Sequence, residues 1–205
     1  MVVHRSIGVE VEGLVLDSEL VRRLQTGNLE ALGVLYDRHQ RLVFRTALAI
    51  TGDAEAAADL LQEVFLRLHR FASHIDSARP LEPWLYRMTT NLSYTWVKRH
   101  SRLLHPLEDV ADWIMGNRKE SPAVRSELDE SWRQVRQAIL SLPLSHRGVV
   151  VLYYVDELSV QEIAKILSIP VGTVKSRLHY GRQALKKSLD LTLDRVFPEL
   201  NYEFT

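Results

Sequence analysis

The sequence predicts an all-α protein of two small helical domains joined by a flexible linker. Three observations predict it. Apolar residues recur at i, i+3, i+4 and i+7 over most of the chain, the period of an amphipathic helix. Strand-like alternation is confined to Ile7, Val9 and Val11 set against Glu10 and Glu12, and no strand-rich segment, repeat or low-complexity tract follows. An acidic stretch containing Pro106 and Gly116 separates two helical blocks.

The elements follow in order. Residues 1–16 form an N-terminal extension, a short strand or disordered. Asp17 or Ser18 caps a first helix carrying Leu20, Val21 and Leu24 and ending near Gly27. Asn28 caps a second helix with Leu32, Leu35, Leu42, Val43, Ala47 and Ile50 at helical spacing. Thr51-Gly52-Asp53 ends it and starts a third, which turns Leu60, Leu61, Val64, Phe65 and Leu68 inward. Ala72 to Pro83 reads as a loop, and Trp84 to about Arg102 as a fourth helix. This gives a first domain over 17–102, an acidic linker over 103–127, a second domain over 128–187 and a tail over 188–205.

The second domain contains the most informative segment, Ser159 to Leu185, which has the layout of a helix-turn-helix. Val160, Ile163, Ala164 and Leu167 make one face of a first helix. Ser168-Ile169-Pro170 interrupts it, and Pro170 suits the first turn of the next helix, where its missing N–H has no partner to lose. The second helix turns Val174, Leu178, Gly181 and Leu185 inward, and small Ala164 and Gly181 allow the two helices to cross closely. Thr173, Lys175, Ser176, His179 and Gln183 are left for the outside, with Arg177 and Arg182 on the flanks. Such a donor-rich helix fits the DNA major groove. A helical hairpin without DNA would share the apolar pattern, but not the acid-free outer face.

Composition is consistent with a binder that works alongside others. The 205 residues are 46% hydrophobic, and 26 Lys and Arg balance 26 Asp and Glu, so net charge is zero. The balance hides a pattern: Lys165 to Ser188 and Trp84 to Leu107 hold bases and no acid, while the stretch between them is mostly acidic. DNA affinity scales with the phosphates neutralised, so a neutral chain binds DNA weakly alone and needs a larger partner. Cysteine is absent, which excludes disulfides and thiolate metal sites. No apolar run approaches the roughly 20 residues of a membrane span, and no signal peptide is visible, so no membrane insertion and a cytoplasmic location are expected.

Two further stripes carry information. Arg87, Asn91, Tyr94, Lys98 and Arg102 fall on one side of the fourth helix. Cations that follow a backbone, interleaved with an aromatic that stacks on bases, suit single-stranded nucleic acid; an ordinary solvated basic face fits the spacing as well. On the third helix Asp59, Gln62, Glu63 and Leu66 point outward. They form either a docking surface for a protein or a solvated acidic face with one stray Leu. No H-E-x-x-H, Walker A, G-x-G-x-x-G or G-x-S-x-G motif occurs, so no catalytic residue, metal site or cofactor is expected, and the chain reads as a non-enzyme.

Together these motifs resemble a family. Leu35 to His39, Asp59 to Leu68 and Pro83 to Asn91 resemble region 2 of bacterial group 4, or extracytoplasmic-function (ECF), sigma factors of the sigma-70 family. Leu140 to Pro143 and Leu158 to Leu185 resemble their region 4. The resemblance implies a transcription initiation factor that directs RNA polymerase core to promoters and promotes DNA melting. It implies that Asp59, Gln62, Glu63 and Leu66 dock on the clamp of the largest polymerase subunit. Region 4 would meet the flap of the second-largest. Arg87, Asn91, Tyr94, Trp96, Lys98, Arg99 and Arg102 would meet the single-stranded −10 element, with Asn91 lining the pocket of a flipped base. Thr173, Lys175, Ser176, Arg177, His179, Tyr180 and Arg182 would meet the duplex −35 element. An anti-sigma factor is a possible further partner. Tyr180 and Gly181 depart from the Arg-Ala common there, so promoter preference does not carry over. The alternative is a stand-alone helix-turn-helix repressor or activator.

Overall fold

The computed structural model describes residues 15–100 and 133–189. Residues 1–14 of the N-terminal extension, Arg102, the acidic linker, residues 128–132 and residues 190–205 of the C-terminal tail lie outside the described residues. The described residues form eight α-helices and one 3-10 turn, with no strand among them.

The first domain contains α1 (Asp17–Gln25), α2 (Leu29–Thr51), α3 (Ala54–Arg70) and α4 (Glu82–His100), with a 3-10 turn at Ala72–His74. Helix α2 is its axis and packs against α1, α3 and α4. Its start is set by Asn28, whose side chain accepts from the Ala31 N–H at 3.2 Å. Its end is set by Gly52, which adopts the left-handed φ of 74° that costs other residues strain. Asp53 then caps α3 by accepting from the Ala56 N–H at 2.9 Å. Leu35, Val43, Val64, Leu68 and Leu85 fill the core between these helices.

Helix α1 corrects one expectation. Its N-cap is Leu16, with no side-chain cap, and Asp17 lies inside the helix. The Asp17 carboxylate is taken by two residues of α2: Arg38 pairs with one oxygen and His39 meets the other at 2.6 Å. Helix α4 also starts two residues before the expected Trp84, because Pro83 is tolerated in a first turn.

The second domain contains α5 (133–141), α6 (Leu144–Tyr154), α7 (Val160–Leu167) and α8 (Val171–Leu189). Ser159 and Glu162 form a reciprocal capping box at the start of α7: Ser159 Oγ accepts from the Glu162 N–H at 3.2 Å, and Glu162 accepts from the Ser159 N–H at 2.9 Å. Ser168 closes α7 in the left-handed region at φ 53°. The Pro170 carbonyl accepts the first N–H groups of α8, from Thr173 and Val174. Val149, Val150, Leu152, Ile163, Val174, Leu178 and Leu185 form the core. Two expected details differ. Ile166 is buried more deeply than Leu167 in α7. The close approach at Gly181 is made to Val150 of α6, not to α7: an added Cβ would lie 2.7 Å from Val150 Cγ2.

The two domains pack on one another. Helix α6 lies along α2, and α7 lies on α4. Ile50 and Tyr86 of the first domain belong to the apolar core of the second. Helix α2 has no basic residue in its own last turn. Its terminal carbonyls are met from the second domain instead: Arg147 donates to Ile50 O at 2.8 Å and Arg136 to Gly52 O at 2.6 Å. Cations at a helix C-terminus complement the helix dipole. Burial lowers the pKa of both arginines, and carbonyl acceptors on three sides of Arg147 offset its lost hydration.

Candidate nucleic-acid interface

Helix α8 presents the expected outer face. Val174, Leu178, Gly181 and Leu185 are buried, while Lys175, Ser176, His179, Tyr180 and Gln183 are exposed. No acid occurs between Val171 and Leu189. Tyr180 is 59% exposed, with its ring edge-on to those of His179 at 5.5 Å and His146 at 6.4 Å. Gln183 and His179 join at 3.0 Å across one helical turn, which fixes the imidazole beside Tyr180. Arg182 is half-buried: it donates to the Tyr154 hydroxyl at 2.6 Å and lies over the rings of Tyr153 and Tyr154. Thr173 and Arg177 are half-buried too. Cations, hydroxyls and an aromatic on one helix face offer phosphate contacts and base-edge hydrogen bonds together.

On α4 the exposed stripe is Arg87, Asn91, Thr95, Lys98 and Arg99. Tyr94, expected in this stripe, is not freely exposed. Its hydroxyl is buried against Gly148 of α6 and has no hydrogen-bond partner among the described residues. Burial pushes its pKa up to about 12, against the lowering influence of nearby Arg177 and Arg147. The reason is angular: residues 94 and 95 flank the stripe on opposite sides, and the second domain covers the Tyr94 side. Thr95 takes the open side and donates to Asn91 O at 2.9 Å. Trp96 faces away from the stripe. It packs beside Ala47, Leu48, Ala57 and Leu60 and stacks on His100 with ring centroids 4.6 Å apart. A cleft beside the loop before α4 is lined by Leu16, Arg38, Arg79, Pro80 and Glu82 among others, and Asn91 is not in it.

On α3, Asp59, Gln62 and Leu66 are exposed, and Glu63 is half-buried in an ion pair with Arg67 at 2.6 Å. Leu66 is 63% exposed and Phe71, at the end of α3, is 42% exposed. Acids, an amide and Leu66 thus share the outward face of α3, with exposed Phe71 just beyond its last turn.

Sequence reasoning missed the residues that join the domains. Asp156 has a fully buried side chain, held by Arg45 at 2.8 and 3.2 Å and by the Thr46 hydroxyl at 2.9 Å. Desolvation pushes its pKa up to about 6, outweighing the lowering by Arg45 and Thr46. The capping box was visible as Ser159-x-x-Glu162; the Arg45–Asp156 pair, 111 residues apart, left no local signal. Among the described residues one acidic and His group, Asp17, His39 and Glu82, is close enough to hold a metal. Arg38 and His39 already engage both Asp17 oxygens, so that group is an ion-pair cluster tying α1 to α2.

Residues 35–103 match the family model Sigma-70 region 2, and residues 132–185 match Sigma-70, region 4. The chain is 33% identical over 182 residues to the ECF RNA polymerase sigma factor SigW of Bacillus subtilis, covering 82% of this chain and 94% of that protein. The chain is an ECF RNA polymerase sigma factor. It is also 35% identical over 157 residues to SigL of Mycobacterium tuberculosis, covering 76% of this chain and 86% of SigL. The fold is shared with CnrH, solved in complex with the cytosolic domain of CnrY, at a TM-score of 0.64 and 24% identity, over 85% of this chain and 97% of that one. Sigma factors serve transcription initiation, and the stand-alone repressor reading is not favoured. No helix among the described residues of this sigma factor is long and apolar enough to cross a membrane.

Proposed function

We propose that this sigma factor reads promoters with α4 and α8 and docks on polymerase core with α3. The observation that carries the reading is the presence of two outward stripes without acids, one per domain, in a chain of zero net charge. Arg87, Asn91, Lys98 and Arg99 meet the −10 strand, joined by Thr95. Tyr94 joins them once the second domain moves away. Trp96 holds α4 in place rather than touching DNA. Lys175, Ser176, His179 and Tyr180 read the −35 duplex, with Thr173 and Arg177 at the edge. Arg182 supports α8 from behind through Tyr154 and reaches phosphate at most from the flank.

Asp59, Gln62, Glu63 and Leu66 form the core-docking face on the clamp of the largest subunit, while the second domain meets the flap of the second-largest. Exposed Leu66 and Phe71 beside acids have the mixed apolar and polar character of a binding patch. The nucleotidyl transfer belongs to the polymerase, so this subunit has no chemistry of its own. It works in the cytoplasm, and a partner of the anti-sigma kind regulates it. The relatives' names as RNA polymerase sigma factors support the polymerase partner, and the complex of the sigma factor RpoE with the anti-sigma factor NepR from Bartonella quintana supports the regulator.

Run-off transcription with core enzyme on genomic fragments tests the proposal. Promoter-specific transcripts that require the chain support it. Tight binding to a duplex site without core, and no transcripts with it, refutes it.

A further inference from the structure

The seam between the domains is closely fitted at one point and poorly satisfied around it. Gly148 lies on α6 directly over Tyr94 of α4. A Cβ at that position would overlap the Tyr94 hydroxyl and lie 2.7 Å from its Cζ. Any larger residue would have to displace the Tyr94 ring or part the two helices. Five buried polar atoms lack a hydrogen-bond partner among the described residues: Thr90 Oγ1, Ser93 Oγ, Tyr94 OH, His146 Nδ1 and Arg147 Nε. Thr90 and Ser93 share a side of α4 with Tyr86 and Tyr94 by helical spacing, and both tyrosines pack on the second domain's core. His146 and Arg147 adjoin Gly148. Unpaired buried polar atoms disfavour a contact, because each has given up water. Their concentration here marks an interface that opposes its own closure and is held by the Arg45–Asp156 and Arg147–Ile50 contacts nearby.

We infer that Tyr94 is an autoinhibitory contact: seated under Gly148, it is withheld from single-stranded DNA while the domains are closed. This rests on the reading of the α4 stripe as a strand-binding face. A phenol ring beside Arg87 and Asn91 is what a sequence-tolerant stacking platform needs. In the closed form Gly148 of the duplex-reading domain occupies its hydroxyl end. Closure and full use of the α4 stripe are then mutually exclusive, so apparent strand affinity falls in proportion to the closed fraction.

The chain has no cysteine, so single cysteines placed at exposed Arg70 and Lys187 take a dye pair cleanly. Energy transfer then reports closure in the full chain, and anisotropy reports binding of a labelled mixed-sequence single strand of about 12 nucleotides. Gly148→Ala is compatible with the α6 backbone and wedges the seam open. It should lower energy transfer and tighten strand binding by about threefold or more. Asp156→Ala opens the seam by a second route, remote from Gly148, and should do the same. Tyr94→Phe removes the unpaired hydroxyl, so it should raise energy transfer and weaken strand binding. Unchanged energy transfer in both opening variants overturns the inference, as does opening without a gain in strand affinity. A separate outcome concerns the underlying reading. If Gly148→Ala/Tyr94→Ala binds the strand as well as Gly148→Ala does, Tyr94 is no part of the strand-binding face.

Discussion

Asp156 of the second domain accepts from Arg45 of the first at 2.8 and 3.2 Å with no side-chain exposure of its own. The pair stands at the end of α6 and two turns from the end of α2, with Thr46 completing the carboxylate's shell at 2.9 Å. Removing one partner of a buried pair leaves the other's charge uncompensated, at about 3–5 kcal/mol. Arg45 is one-third exposed, which places Asp156→Ala at or below the lower end of that range. Urea unfolding should show the loss, and the domains should separate before either unfolds.

The same carboxyl sets a pH dependence. Its pKa is raised to about 6 in the packed form, against 3.8 for an exposed one. The closed form therefore binds the proton more tightly than the open form. The proton-linked part of closure is complete below the ordinary value and is lost as pH rises through about 6, above which the ion pair with Arg45 holds the seam. Energy transfer between the domains should fall over about pH 4 to 6, and Asp156→Asn should flatten the profile. A wild-type profile that matches Asp156→Asn throughout this window would rule the effect out.

Ser159→Ala removes half of the capping box in front of α7. N-cap losses of this kind cost about 1 kcal/mol. Thermal melting of the second domain should register it, with a smaller effect on the first. Glu162→Gln keeps a capping-box side chain and should cost less.

Leu66→Ala should leave folding within about 0.5 kcal/mol, because the side chain is largely exposed. Binding to core polymerase should weaken about tenfold if Leu66 sits at the centre of the docking face, since such truncations cost more than about 1 kcal/mol. Equal core affinity in a pull-down titration would place the docking face elsewhere.

Asn91→Ala should reduce promoter opening more than core binding, since Asn91 is exposed on the α4 stripe and remote from α3's outward face. Permanganate footprinting of the −10 region and a core-binding assay separate the two. Lys175→Ala should alter the response to changes in the −35 duplex; an unaltered response removes Lys175 from the reading face.

Much of the fold was legible because its signals are local. Asn28 and Asp53 could be read as caps from their positions before apolar periodic runs, and both cap in the structure. The buried side of α8 followed from Val174, Leu178, Gly181 and Leu185 at helical spacing. Asp17 misled because an acid at a helix start suits a cap, yet here two basic groups of α2 compete for it. Of the expected α4 stripe Arg87, Asn91 and Lys98 are exposed, Tyr94 is not, and Arg102 lies outside the described residues. Tyr94 and Thr95 are equally placed by periodicity, and only the neighbour across the seam decides which stays open. That neighbour, Gly148, lies 54 residues after Tyr94, and the contacts of Asp156, Arg147 and Arg136 join residues 84 to 111 apart. No periodic pattern encodes such pairings.

The finishing of α2 by Arg136 and Arg147 has a consequence for synthesis. The first domain leaves the ribosome well before its last hydrogen-bond donors exist, since Arg147 lies 97 residues after Ile50. At about 5–20 residues per second, the nascent chain carries Ile50 and Tyr86 uncovered for on the order of 3–12 s before Arg147 is added. The half-made protein thus carries a sticky flank that only its own later half covers. A message truncated within the linker would release a fragment prone to self-association, although each of its four helices is intact.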